Sequence, residues 1–164
     1  MFSIRPFVAD DLDSLSDIWL RAVRATHHFL TEEDISFYFP LVRHALSIME
    51  IWVLVKKGSR QGFMAMDDNK VEALFLSPEQ RGNGGGRHLM EFARKKINLD
   101  RALLVDVNEG NPEALGFYRH LGFRQTGRSS VDGSGKPFPL LHLSLHGAIN
   151  PTGLKNKKSI CNRE

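Results

Sequence analysis

One cysteine, Cys161, is all the chain contains. A lone thiol cannot build an intrachain disulfide framework, so a reducing compartment is expected. Its surroundings, GLKNKKSICNRE, give no reason to expect covalent catalysis through it. Long apolar runs are missing too: none approaches the ~20 residues that cross a bilayer, and the opening MFSIRPFVADD has no apolar signal core. A cytoplasmic protein with no membrane association is the expectation. Strong charge of either sign is absent, with 22 basic against 19 acidic residues, a net +3. Much of that excess sits in the last twelve residues, after Asn150-Pro151, where apolar periodicity stops. A solvated, poorly ordered basic tail over 148–164 is expected there rather than a nucleic-acid arm. No repeat with a period of 20 to 50 residues occurs, which excludes solenoids and propellers.

What is present is an ordinary globular composition, 41% hydrophobic over 164 residues. That length suits one domain burying ~70% of its unfolded-chain surface. Phe2 to Phe7 reads as a strand. Asp10 or Asp11 then offers an N-cap for Leu12, Leu15, Ile18, Trp19, Ala22 and Val23, which are at helical spacing. Thr31 to Asp34 forms a capping box opening a second helix toward Leu46, which Pro40 should kink or divide. IWVLV (51–55), GFMAM (62–66) and VEALFL (71–76) are strand-like, and their short turn-rich links favour antiparallel neighbours. A helix with an apolar stripe of Leu89, Met90, Ala93 and Ile97 follows RGNGGGR (81–87). Leu103 to Val107 is a fifth strand. Asn111-Pro112-Glu113 starts another helix, which Gly122 ends, and two strands close the chain from Phe123 and from Leu140 to Leu145. The fold class is α/β, a single domain with a mixed central sheet of about seven strands and about four helices.

A glycine loop between strand and helix exposes backbone N–H groups at the positive end of a helix dipole and so suits an anion. Two nucleotide classes are excluded at once. A hydrolase P-loop needs Lys and then Ser or Thr after the last glycine, but Arg87-His88 follow Gly86. A dinucleotide fingerprint counted from Gly82 reaches Arg87 where the third glycine belongs, and this loop follows the fourth strand rather than the first. The surviving pattern is basic-x-x-Gly-x-Gly at Arg81, Gly84 and Gly86. LFLSPEQRGNGGGRHLMEFA resembles the acyl-CoA loop of the GNAT superfamily of N-acetyltransferases, and NPEALGFYRHLGF resembles its second signature. The resemblance covers residues 2 to 146, and ATHHFL together with GRSSVDGSGKPFPLLHL is similar to one bacterial subgroup. The chain departs from the pattern at Gly85, where the family usually carries an aliphatic residue. Gly85→Val or Ile is therefore expected to be tolerated, in a loop loosened by about 0.5 to 1 kcal/mol.

The resemblance implies acetyl-CoA as co-substrate, with no metal. It implies cofactor contacts from Leu74, Phe75, Leu76, Arg81, Gly82, Asn83, Gly84, Gly85, Gly86, Arg87, Asn111 and Tyr118. Main-chain N–H groups of Phe75 or Leu76 would serve the oxyanion and the pantetheine arm on a splayed strand. Asn111 and Tyr118 are seven residues apart, about two helical turns, so both can address one extended ligand; Asn111 would bind pantetheine and Tyr118 would protonate the departing sulfur. Glu72 shares a face with Leu74 and Leu76 by strict alternation; it is either a general base with a pKa raised by partial burial, acting directly or through water, or a solvent-facing or ion-paired strand residue. His27, His28 and Phe29 are candidates to touch the acceptor. His142 and His146 alternate with leucines but lack metal-ligand partners at the right spacing.

The expectation is thus an N-acetyltransferase domain over residues 1–147. It would move an acetyl group directly to a primary amine on a protein lysine, an N-terminus or a small molecule, as monomer or homodimer. A non-catalytic acyl-CoA-binding module is the alternative. An aminoacyl acceptor on RNA is a weaker third, nucleic acid otherwise not being an expected partner.

Overall fold

In the computed structural model the described residues are 1–152; the expectations for Cys161 and for most of the tail lie outside them. Apolar periodicity explains the elements. Helix α1 (Leu12–Thr26) buries Leu15, Ile18, Trp19, Ala22 and Val23 along one stripe, as a spacing of three and four dictates. Helix α2 (Glu32–Ile48) opens on the expected box: Thr31 accepts from Asp34 N–H, and the Asp34 carboxylate accepts from Thr31 N–H. Pro40 lies inside α2 and does not divide it. The strands are β1 (Phe2–Pro6), β2 (Glu50–Lys56), β3 (Ser59–Asp67), β4 (Lys70–Leu76), β5 (Leu103–Asn108), β6 (Arg124–Ser129) and β7 (Leu140–Leu145), with α3 (Gly85–Lys96) and α4 (Pro112–Leu121) between them. Seven strands and four helices form the single α/β domain that the chain order suggests.

The sheet runs β1-β2-β3-β4-β5-β7-β6. Every pairing is antiparallel except β4 with β5, which is parallel. Period-two alternation divides the core between two faces. Val53, Phe63 and Ala65 join α1 and α2 on one side. Leu54, Met64, Met66 and the odd residues of β5 and β7 join Leu89, Met90 and Ala93 of α3, with Tyr118 and Leu121 of α4, on the other. Past β7 the chain is still bound to the domain. Ile149 packs on this second cluster and Asn150 N–H donates to Leu121 O, so the ordered unit reaches beyond residue 147.

Asp11 departs from its expected role. Its side chain does not cap α1. It is fully buried, accepts two bonds from Arg5 at 2.8 and 2.9 Å and one from Arg60 at 2.5 Å, and takes Val8 N–H at 2.9 Å. The Arg5 hydrogen bond, opposed by burial and helped by Val8 and Arg60, holds its carboxyl well below the usual carboxylate range. One carboxylate therefore ties β1 to β3 and to the start of α1. Because both arginines keep about a third of their side chains in water, Asp11→Ala should cost about 2 to 3 kcal/mol, less than the ~3 to 5 of a fully buried pair, read as a lower thermal midpoint. The folded pKa lies below the unfolded value near 3.9, so this stabilisation is complete above about pH 5 and is lost as pH falls through 4 and below. Acid titration of wild type should show that loss, and titration of Asp11→Ala should be flatter over the same range.

Candidate active site

The site begins where the sheet opens. β4 and β5 pair only at Lys70 with Leu104 and at Val71 with Val105. Beyond Val71 the two strands are not paired. Just past the end of β4, Ser77 N–H donates to Gln61 O of β3 at 2.8 Å. Main-chain groups along an antiparallel strand alternate sides, so Phe75 and Ala73 also address β3, while those of Leu76 and Leu74 point into the gap. The expected free N–H therefore belongs to Leu76, with Leu74 beside it; that of Phe75 is used in the sheet.

The loop after β4 carries Gly82 at φ 80° and Gly84 at φ 87°, a region that penalises any Cβ. Gly84 caps α3 without a side-chain acceptor, and the helix's first bond runs from His88 N–H to Gly84 O. The N–H groups of Gly85, Gly86 and Arg87 are the free donors of the first turn. Gly86 faces Phe117 so closely that a Cβ would lie 3.1 Å from its ring. Across the gap, Asn111 caps α4 through Oδ1 on Ala114 N–H at 3.2 Å, leaving its Nδ2 to the cleft. Tyr118 is 6% exposed and packs edge-on against Phe117 and Phe123. Burial raises its pKa above the phenol's ordinary value, so its hydroxyl keeps its proton at neutral pH. No hydrogen-bond partner for that hydroxyl occurs among the described residues.

These parts enclose one cleft of about 400 Å³. Its lining includes Leu74, Phe75, Leu76, Arg81, Gly82, Gly84, Gly86, Arg87, Asn111 and Tyr118, ten of the twelve residues expected to hold the cofactor. Asn83 and Gly85 are not part of it. Arg81 is paired with Glu113 of α4. Arg87 bonds Glu91 at 3.0 Å and also donates to Asn150 O.

His27 lines the same cleft, at the end of α1. Its Nδ1 lies 2.7 Å from Thr26 Oγ1. Burial first, and then the neighbouring His28, lowers its pKa to about 4. From the cleft a row of rings leads outward: Phe75, His27, Phe29, Phe138 and Tyr38, with successive centroids 6.1, 5.4, 5.6 and 6.5 Å apart. Phe29 lies against Gly110, where a Cβ would meet its ring at 2.6 Å. His28 is not among the cleft residues. The row escapes sequence reasoning because distant segments supply it: β4, the link after α1, α2 and the loop before β7.

Glu72 is a correction. In the register Ala73 faces Ala65 and Val71 faces Met66, which makes Glu72 the extra residue of a β-bulge. Val71, Leu74 and Leu76 consequently pack together on the α3/α4 side, and Ala73 and Phe75 on the other. Glu72 is exposed, lies 3.6 Å from Lys70 and does not line the cleft. His142, alternating with the leucines of β7, is held by side chains of the neighbouring strands. Its Nδ1 bonds Asp106 at 2.6 Å and its Nε2 meets Ser129 Oγ at 2.6 Å, while Lys70 reaches the other Asp106 oxygen at 2.7 Å. Burial raises the Asp106 pKa, but the bonds from Lys70 and His142 outweigh it and the net shift is downward.

A splayed parallel pair, a glycine anion loop and a buried tyrosine in one cleft are the features of an acyl-CoA-dependent transferase. The acetyltransferase (GNAT) domain family matches residues 22–138, and the chain belongs to it as an N-acetyltransferase. It is 42% identical to the peptidyl-lysine N-acetyltransferase YjaB of Escherichia coli (strain K12), over 90% of this chain and 99% of that protein. The solution structure of apo YjaB from Escherichia coli superposes with a TM-score of 0.83, at 42% identity, covering 90% and 99% of the two chains. A PaiA N-acetyltransferase from Thermoplasma acidophilum, solved in complex with coenzyme A, shares the fold at a TM-score of 0.67 and 19% identity, covering 88% and 98%.

Gly85 also reverses an expectation. It points away from the cleft onto the sheet, where a Cβ would stand 2.8 Å from Leu54 Cδ2, and Leu54 is fully buried. Gly85→Val should therefore destabilise the fold by about 1 to 3 kcal/mol through overpacking. Gly84→Ala meets nothing within 4 Å and should cost about 1 to 2 kcal/mol through its left-handed backbone alone. Denaturant titration of the two variants measures both.

Proposed function

We propose that the protein transfers an acetyl group from acetyl-CoA to a primary amine by direct attack in a ternary complex, with a lysine side chain of a polypeptide as the acceptor. The observation that carries this reading is the unpaired edge of β4, with Leu74 and Leu76 presenting main-chain groups to the same cleft as the Tyr118 hydroxyl. An acyl-pantetheine chain needs a slot that supplies strand-like hydrogen bonds, and the gap between β4 and β5 is such a slot. At its mouth, the first-turn N–H groups of α3 with Arg81 and Arg87 suit a pyrophosphate.

Leu76 N–H is the donor aimed at the oxyanion that forms when the amine attacks the thioester carbon. Tyr118, protonated at neutral pH, offers its O–H to the departing sulfur, whose charge develops as the C–S bond breaks. Asn111 Nδ2 serves an amide of the pantetheine arm. The polypeptide acceptor is supported by the identity to a peptidyl-lysine N-acetyltransferase and by the ring row. A lysine's four methylenes can lie along Phe29 and Phe138 while its amine reaches the cleft.

Thermal unfolding with CoA, ATP and NAD, each at matched excess, tests the binding half. CoA at ~100 times its dissociation constant should add about 2.7 kcal/mol and the other two should add little; stabilisation by ATP or NAD but not by CoA would sink the reading. Tyr118→Phe tests the chemistry: thiol release at saturating substrates should fall about a hundredfold with the CoA-induced thermal shift retained. Unchanged turnover would remove Tyr118 from its role. A wild type that releases no thiol above hydrolysis, yet binds CoA, would be a non-catalytic acyl-CoA-binding module.

A further inference from the structure

Acetyl transfer requires that the amine nitrogen lose a proton, and the parts described so far do not take it. Glu72 stands outside the cleft. His142 has both ring nitrogens engaged, by Asp106 and by Ser129, and does not line the cleft either. His27 differs on both counts. Thr26 Oγ1 lies 2.8 Å from Ala22 O and 2.7 Å from His27 Nδ1. A carbonyl oxygen has no proton to give, so the hydroxyl proton occupies the contact to Ala22 O. The contact to Nδ1 then requires its proton from the ring. The imidazole is thereby fixed as the Nδ1–H tautomer, with its lone pair on Nε2. No protein partner for Nε2 occurs among the described residues, and Ala22, Thr26 and His27 line the cleft that holds Tyr118.

We infer that His27 Nε2 accepts the proton of the attacking amine, an assignment that rests on the acetyl-transfer reading. The neutral amine attacks the thioester carbon, forming the C–N bond and an oxyanion and leaving the nitrogen cationic. That nitrogen passes one proton to His27 Nε2, directly or through one water. The intermediate collapses, the C–S bond breaks, and CoA leaves as a thiolate held by the Tyr118 hydroxyl. The proton on His27 reaches the thiolate through solvent, so amide and free thiol are the products and the ring is restored. The other charged groups at the cleft are Arg81 with its partner Glu113, and Arg87; none of the described residues forms an ion pair with His27. Burial therefore keeps the ring unprotonated at neutral pH, and the oxyanion formed in the same step favours its protonated form at that moment.

The test uses the full chain, acetyl-CoA and a blocked hexapeptide with one central lysine. His27→Gln should lower kcat about a hundredfold, with the KM for acetyl-CoA and the CoA-induced thermal shift unchanged. Free imidazole should restore part of the lost rate to His27→Ala. Thr26→Val leaves the ring in place but removes its anchor, and should cost about tenfold in kcat. A kcat within threefold of wild type in His27→Gln, or no effect of Thr26→Val, would overturn the assignment. If wild type itself acetylates no lysine while still binding CoA, the acetyl-transfer reading falls first, an outcome distinct from a working enzyme that ignores His27.

Discussion

The separation of β4 from β5 after two paired residues governs the site. A parallel pair kept to its full length would satisfy the main-chain groups of Leu74 and Leu76 inside the sheet. By parting at Val71, the strands leave those groups exposed to a ligand, and α4 sets Tyr118 against the same opening. The strands part just past a bulge. Glu72 adds a residue to β4 without a counterpart on β3, and a bulge bends its strand and increases local twist. The two core clusters then hold β4 from both faces, with Leu74 and Leu76 in one and Ala73 and Phe75 in the other. A polar seam closes the narrow end of the gap. Lys70 of β4, Asp106 of β5, His142 of β7 and Ser129 of β6 form one hydrogen-bonded line across four strands, placed where the strands begin to diverge.

Much of this was legible in the residues, and the reasons are local. Helices and strands announce themselves by period, and the Thr31 box, the Asn111 cap and Gly122 at φ 110° behave as their chemistry requires. The two glycine-loop exclusions needed only spacing. Asn111 and Tyr118 were readable as a pair because one helix carries both. What sequence could not supply was contact between distant segments. Strict alternation put Glu72 on the face of Leu74; one inserted residue, detectable only against β3, undid that. Gly85 looked like a loop residue open to a side chain, yet Leu54, thirty-one positions earlier, fills the space. Asp11 was legible as a helix cap, but its carboxylate is taken by Arg5, Arg60 and Val8 N–H instead.

The proposed acceptor side shows the same divide. His27 and Phe29 could be suspected from their place after α1. Their partners Phe75 and Phe138, and the glycine under Phe29, come from β4, the loop before β7 and the loop after β5. Phe29 against Gly110, next to Asn111, brings the proposed acceptor wall into contact with the segment that caps α4. The two halves of the site therefore share a boundary of packed atoms, and a displacement of one ring is felt at the other ligand's contacts.

The pairing of Arg81 with Glu113 has a consequence for selectivity. An arginine beside a glycine loop on a basic protein would by itself gather any polyanion, from free nucleotides to RNA. With a carboxylate already in place, an incoming phosphate must displace a rival rather than fill a bare positive hole. The charge of Arg81 then gains less, and on the proposed reading the rest of the ligand's length is held by the opened strand. On the proposed reading Glu113 competes with a phosphate for Arg81, so the cleft mouth would rely on shape and reach as well as on charge.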